Sequence, residues 1–306
     1  MTPEIVPFEA ESHLTWDGLL EALRAGHRLP APDIRDQLVY RGKDVILDRA
    51  TWIDGLGALV KVATLVADNP ARGLPLINGV VNLFDDVTGE LAALVDFHLV
   101  TKWKTAADSL LSASLLARPE SREFLLVGAG KVAHSMVEAY RSRFPAARFH
   151  VWSRRVESAR RLAEPLGLSV VTDLEAAVTA ADVICTCTMT TEPVVRGAWL
   201  RPGQHLDLIG AYRPDMREVD DEAIARARLF VDARATTVHD VGELMMPIAA
   251  GVITEDDVIA DFYQLESGRF ARLSDDEITI AKNGGGAHLD LMTADYILRR
   301  WRARLA

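Results

Sequence analysis

A chain of 306 residues with 49% hydrophobic side chains has the length for one large or two medium domains and the apolar content to build real cores. Its formal net charge of -10 and the lack of any basic run argue against nucleic acid and anionic membranes as partners. No basic start leads into an apolar segment and no stretch approaches about eighteen uninterrupted apolar residues, so the sequence predicts neither signal peptide nor membrane span and points to a cytoplasmic protein.

Near the N-terminus, Thr15 caps a helix whose Leu19, Leu20 and Leu23 share one face, with Gly26 closing it. Short alternating or apolar runs follow at 37–40, 44–47, 58–66, 79–84 and 91–97, with Asp85-Asp86-Val87-Thr88-Gly89 as a hairpin connection; they predict a largely antiparallel sheet. One strand, Ala58-Leu59-Val60-Lys61-Val62-Ala63, carries a lysine in an apolar run. Lys61 either snorkels to a strand edge or points into a site where it binds an anion or donates a proton. Thr101 then caps a helix that runs to about Ala117. This places Lys104 and Thr105 in the first turn, where free N–H groups attract phosphate or carboxylate. A lysine there opposes the helix dipole unless something anionic binds; the bland alternative is an exposed helix start. Arg118-Pro119-Glu120-Ser121 is the expected junction between an N-terminal domain, 1–118, and a second domain, 119–286.

The second domain opens on Phe124-Leu125-Leu126-Val127, an apolar run that breaks into Gly128-Ala129-Gly130-Lys131-Val132-Ala133 and continues as a helix. A buried parallel strand, a glycine turn and a helix whose free N–H groups face a pyrophosphate require these residue types in this order. Gly128 makes the tight turn, Gly130 lets backbone approach the phosphates, and Ala133 lets helix and strand pack closely. A second strand, 148–152, follows the helix and ends in Ser153-Arg154-Arg155. A ribose 2′-hydroxyl is normally held here by Asp or Glu, whereas a 2′-phosphate wants cations and tolerates no carboxylate. The sequence therefore predicts NADP(H) as the preferred cofactor and NAD(H) as second choice. The bland alternative is a glycine turn that binds nothing, beside two solvated arginines.

Beyond this point helices begin near Val156 and Leu174 and strands fall near Ser169 and at 182–188, 205–209 and 229–231, with a helix from Asp220 before the last. Past Asp240 the period fades until a strand at 278–281; Gly284-Gly285-Gly286 then precedes a final helix from Ala287 to about Arg300. The alternation predicts an α/β fold: a Rossmann-type doubly wound parallel sheet with helices on both faces, beside the smaller, largely antiparallel α+β domain. Ligands bind at strand ends in such sheets. Thr186, Cys187 and Thr188 end one strand and are placed to touch the nicotinamide side, and Gly210 and Ala211 after another strand offer backbone contacts there. Cys185 and Cys187 face the same way in a strand, form no ordinary disulfide, and read as packing. The eight histidines show no metal spacing, so no metal site is expected.

The chain resembles the ornithine cyclodeaminase/mu-crystallin family from about Ile34 to Leu298. The resemblance is carried by Lys61-Val62, Lys104-Thr105-Ala106-Ala107, Val127-Gly128-Ala129-Gly130, Glu192-Pro193 with Trp199 and Pro202-Gly203, and Gly210-Ala211-Tyr212-Arg213-Pro214-Asp215-Met216-Arg217-Glu218. It implies an N-terminal antiparallel domain, completed by the C-terminal helix at 287–306, that makes a homodimer and half of the active site. It also implies that Lys61 is the catalytic lysine facing the substrate. Where the family usually has Arg-Thr-Ala-Ala, its arginine gripping the substrate carboxylate, this chain has Lys104, which turns a bidentate grip into a point charge. A second family arginine corresponds to Arg35 or to Arg49, the latter nearer Lys61 in sequence. The cyclodeaminase branch has a catalytic aspartate two residues after the loop glycine, and that position is Tyr212 here. The loop is closer to the mu-crystallin branch, whose activity is NADPH-dependent reduction of cyclic ketimines.

The expected function is that of an NAD(P)-dependent oxidoreductase that reduces a small α-imino acid, or reductively aminates an α-keto acid. Lys104 and one of Arg49 or Arg35 would meet the carboxylate, and Lys61 would polarise or protonate the imine nitrogen. Ornithine cyclodeaminase is the alternative enzyme. An NADPH-dependent binding protein without turnover is the alternative from another class.

Overall fold

The computed structural model describes residues 2–304. They divide into a first unit that runs to Lys104 and takes in the chain from Gly286 onward, and a second unit, Thr105–Gly285. The expected junction at 118 thus gives way to a division at 104, inside a helix that carries the chain from one unit into the other.

In the first unit, β1 (Glu4–Val6) and α1 (Trp16–Gly26) precede a meander of β2 (Ile34–Arg41), β3 (Asp44–Ile53), β4 (Gly57–Leu65), β5 (Ile77–Phe84) and β6 (Leu91–Asp96). The sheet order is β1-β6-β5-β4-β3-β2, antiparallel except where β1 lies parallel to β6. At three residues β1 is too short to show a period, and the sequence gives no sign of it. The β5–β6 turn falls where predicted: Asp85 Oδ1 accepts from the N–H groups of Val87 and Thr88 (3.1 and 2.8 Å), and Gly89 takes φ +67°. Thr15 caps α1 as expected, its Oγ1 accepting from Gly18 N at 3.2 Å. Gly26, however, is the last helical residue and not a left-handed cap; a Cβ there would lie 2.5 Å from Met292 of the C-terminal helix, Ala287–Ala303. Close packing of two helices, not chain reversal, requires that glycine.

The helix after β6 is α2 (Phe97–Leu116), and it begins four residues before the predicted cap. Asp96 accepts from Leu99 N at 2.8 Å and takes the capping role, so Thr101 sits inside the helix. Lys104 and Thr105 therefore lie in its body, where N–H groups are spent on the helix ladder; the free-donor argument for an anion at this point falls away.

The second unit opens on β7 (Glu123–Val127) and α3 (Lys131–Arg143), followed by β8 (Arg148–Trp152), α4 (Val156–Leu166), β9 (Ser169–Val170), α5 (Leu174–Ala180), β10 (Val183–Thr186) and β11 (His205–Leu208). It continues through α6 (Asp221–Arg226), β12 (Arg228–Val231), α7 (Arg234–Thr237), α8 (Gly242–Ala249), β13 (Val258–Ala260) and β14 (Thr279–Lys282). The sheet is parallel throughout, in the order β13-β12-β14-β11-β10-β7-β8-β9. From β7 the chain winds first outward through β8 and β9 and then back to β10 on the other side, which is the doubly wound arrangement predicted. The reversal opens a crevice beyond the C-terminal ends of β7 and β10. Leu125, Val127, Ile184, Leu206, Leu208 and Ile280 belong to one buried apolar cluster, and burial on both sheet faces explains the near-continuous apolar runs in the sequence. Cys185 is buried, Cys187 partly buried, and both are free thiols. No helix among the described residues is long and apolar enough to cross a membrane.

Candidate active site

In the second unit, β7 ends in Gly128, whose φ of +120° is left-handed and whose Cβ would lie 2.7 Å from the carbonyl oxygen of Cys187. Gly130 differs. It caps α3 with φ -94°, open to any residue, and a Cβ added there would meet nothing within 4 Å. Neither backbone strain nor packing within the unit calls for a glycine at 130. The position leaves open space directly at a helix N-terminus with free N–H donors. Ala133 is fully buried, the third small position of the motif, while Lys131 is exposed and Val132 partly so.

A cavity of about 370 Å³ lies here, lined by Gly128 and Ala129, by Trp152, Ser153, Arg154 and Arg155 after β8, and by Cys187, Thr188, Met189, Thr190, Thr191 and Val194 after β10. Arg154 and Arg155 are exposed, and among the described residues neither side chain has a hydrogen bond or an ion pair. Thr186 is not part of the lining. It is fully buried in β10, so the expectation that it touches a cofactor is corrected: alternation along the strand sends its side chain into the sheet packing.

Gly210 and Ala211 also stand differently from expectation. Their N–H groups are both taken by Glu218 Oε2, at 2.7 and 3.2 Å, so they have no donor left for a ligand. Glu218 Oε1 accepts from the N–H and the hydroxyl of Thr188, each at 2.7 Å. Glu243 in turn accepts from the N–H groups of Glu218 (2.8 Å) and Val219 (3.0 Å). Burial, then the neighbouring Glu218, pushes the Glu243 carboxyl up to about 7 against the pull of Lys282. Lys282 Nζ donates to the carbonyls of Leu208, Ala211 and Asn283 at 2.7–2.8 Å.

The first unit holds a second polar cluster. Cross-strand register puts Asp36, Arg49, Lys61 and Val81 side by side on one face of the sheet, while Arg35 pairs with Ala50 and Val60 on the other. This settles which early arginine joins the lysine. Arg49 reaches Asp36 at 2.5 Å and Asp290 at 3.6 Å, whereas the Arg35 side chain is 78% exposed, pairs with Asp33 and the Ile34 carbonyl, and stands on the face away from Lys61. Lys61 is buried on the central strand, donates to Asp290 Oδ1 at 2.7 Å and to Thr101 Oγ1 at 2.9 Å, and lies 4.8 Å from the centre of the Phe97 ring. It does not snorkel. Burial lowers its ammonium to about 8; Asp290 opposes the shift, and Lys104 and Arg49 add to it.

Asp290, fully buried on the C-terminal helix, joins the cluster although it is not among the sequence-based candidates. The available signal was a carboxylate set in the apolar run Ala287-His288-Leu289-Asp290-Leu291-Met292. Burial pushes its carboxyl up, but Lys61, Lys104 and Arg49 together outweigh burial and hold it below the usual carboxylate range. Lys104 is buried, acts electrostatically on both Lys61 and Asp290, and has no hydrogen bond or ion pair among the described residues. Three cations thus share one buried carboxylate and the part-exposed Asp36. The surplus positive charge suits an anionic ligand, beside a lysine whose proton is held near neutrality.

A model of the ornithine cyclodeaminase/mu-crystallin family matches residues 54–304. The chain is 51% identical over 298 residues to the Δ1-pyrroline-2-carboxylate reductase of Paracoccus denitrificans, covering 95% of this chain and 94% of the relative. It is 33% identical over 243 residues to the ketimine reductase mu-crystallin of the mouse, covering 79% and 75%. Among solved structures, an archaeal alanine dehydrogenase dimer with bound NAD superposes with a TM-score of 0.90 at 27% identity, over 100% of this chain and 98% of the other.

Proposed function

Because this chain belongs to the ornithine cyclodeaminase/mu-crystallin family, we propose that it reduces a small cyclic α-imino acid of the Δ1-pyrroline-2-carboxylate kind with a reduced nicotinamide cofactor. The observation that most supports this is the buried cluster of Lys61, Asp290, Arg49 and Lys104: a surplus cation for a carboxylate, next to an ammonium lowered to about 8. In this reading Lys104, with help from Arg49, holds the substrate carboxylate, and Lys61 Nζ hydrogen-bonds the imine nitrogen and gives it a proton. Asp290 fixes the direction of the lysine and keeps it charged enough to donate. The cofactor, when bound, supplies a hydride to the imine carbon; with the proton on nitrogen, the C=N bond becomes CH–NH. An α-keto acid with ammonia would enter through the open-chain imine that the two form with loss of water, and its C=N bond would be reduced in the same way.

The glycine at 130 fits a pyrophosphate at the start of α3, and the two arginines after β8, without a partner among the described residues, favour NADPH over NADH. A homodimer is part of the proposal: on the sheet face opposite Lys61, Val39, Ile46, Trp52 and Val80 remain 36–52% exposed, an apolar surface that a second copy would bury.

The test is the loss of NADPH absorbance with Δ1-pyrroline-2-carboxylate, its six-membered homologue, and pyruvate plus ammonia, run beside ammonia release from ornithine without added NADPH. Turnover of the cyclic imines supports the reading. Tight NADPH binding with no turnover of any of them would make the chain a binding protein, and ammonia from ornithine a cyclodeaminase. Tyr212, 46% exposed where the cyclodeaminase branch has its catalytic aspartate, speaks against the last.

A further inference from the structure

We propose that Glu218 is a positioning residue for the nicotinamide half of the cofactor, acting through Thr188; this rests on the nicotinamide reading above. Glu218 is fully buried and does not line the cavity, yet its carboxylate takes four donors from two loops: the N–H and hydroxyl of Thr188 after β10, and the N–H groups of Gly210 and Ala211 after β11. Thr188 does line the cavity. A hydroxyl has one proton, and this one is spent on Glu218, so Thr188 offers the cavity lone pairs only. It can receive a ribose hydroxyl or a carboxamide N–H, and it cannot donate.

Strand order says which half of the cofactor it meets. Ser153, Arg154 and Arg155 follow β8, on one side of β7, and mark the adenosine half. The strands β10 and β11 lie on the other side, so a dinucleotide laid across the crevice places its nicotinamide half over the loops that Glu218 joins. The loops approach closely: a Cβ on Gly210 would stand 2.1 Å from the Thr188 carbonyl oxygen and 2.5 Å from Glu218 Oε1. Glu243 holds the backbone of Glu218 from behind, at 2.8 Å. A carboxylate is specifically needed, because a glutamine amide would turn its NH2 toward one of the two donor pairs.

The experiment compares wild type, Glu218→Gln, Thr188→Val and Thr188→Ser for calorimetric binding of NADPH and of 2′,5′-ADP, which carries only the adenosine half, and for kcat with Δ1-pyrroline-2-carboxylate. Glu218→Gln and Thr188→Val should each weaken NADPH about five- to tenfold, the loss of one or two hydrogen bonds, and lower kcat, with 2′,5′-ADP affinity unchanged. Thr188→Ser should bind like wild type, and the double variant Glu218→Gln/Thr188→Val should be no worse than the more impaired of the two singles. Parallel loss of both ligands in Glu218→Gln would show a structural role only and overturn the proposal, as would Thr188→Val with wild-type NADPH affinity. Should Glu218→Gln fail to fold, Thr188→Val against Thr188→Ser decides alone. A wild-type protein that binds neither NADPH nor 2′,5′-ADP would instead overturn the cofactor reading itself.

Discussion

Lys61→Met separates catalysis from structure. The lysine is 5% exposed and its Nζ is bonded to Asp290 at 2.7 Å and Thr101 at 2.9 Å, so its loss strips a wholly buried carboxylate of its nearest cation. Breaking one side of such a pair typically costs about 3–5 kcal/mol. Arg49 at 3.6 Å and Lys104 keep Asp290 partly compensated, which places the cost near the lower end, about 3 kcal/mol, or roughly 6–12 °C in melting temperature. Adding Asp290→Asn removes that carboxylate but leaves buried Lys104 and Arg49 with only the part-exposed Asp36, so the double variant should recover little of the lost stability and no activity. Turnover should fall by roughly a hundredfold or more, the scale of other electrostatic catalytic groups, while NADPH affinity barely changes. The wild-type pH profile adds an independent check. With the ammonium lowered to about 8, mainly by burial, Lys61 keeps its proton below that pH and loses it above, so kcat/KM should decline as pH rises through about 8. The same shift makes the fold gain stability between about 8 and 10.5, where the unfolded chain holds a proton that the folded one has released. Both effects should vanish in Lys61→Met. A variant with full turnover, or an alkaline decline that survives the substitution, would remove Lys61 from the mechanism.

Cofactor choice should follow the end of β8: NADPH binds wild type at least about tenfold tighter than NADH, Ser153→Asp with Arg154→Ala reverses the order, and equal wild-type dissociation constants would refute the assignment. Gly130→Ala should leave the melting temperature unchanged or slightly raised, because φ is -94° and the added methyl meets nothing within 4 Å, yet weaken NADPH at least about tenfold; retained affinity would show that no pyrophosphate approaches there. Arg49→Ala should raise the KM for the imino acid about tenfold or more while Arg35→Ala stays within about twofold, and equal effects would contradict the register argument. Light scattering at micromolar concentration should give twice the 33.6 kDa chain mass, and a value at the chain mass would exclude the dimer.

What the sequence determined by itself was whatever is written locally. The apolar run into Gly128-Ala129-Gly130, the strand that ends in Ser153-Arg154-Arg155, and the alternation of strands and helices all act over a few residues at a time, so the parallel sheet and its crevice were legible before any coordinates. Lys61 could be singled out too, since a cation in an apolar strand breaks the pattern around it. What surrounds Lys61 could not be. Asp290 is 229 residues away and meets it only because the C-terminal helix packs over β3 and β4. Whether Arg35 or Arg49 joins them depends on hairpin register: the β2–β3 turn pairs Asp36 with Arg49, the β3–β4 turn pairs Arg49 with Lys61, and a slip of one residue at either would send the other arginine to that face. The start of α2 is hidden from the sequence for a related reason, because both Asp96 and Thr101 are capable caps and the end of β6 decides between them. Glu218 likewise reads as one more charge in a loop until β10 and β11 lie side by side and bring four donors to its carboxylate. Periodicity fixes which way a side chain points within its own element. Only the pairing of distant elements fixes what it points at.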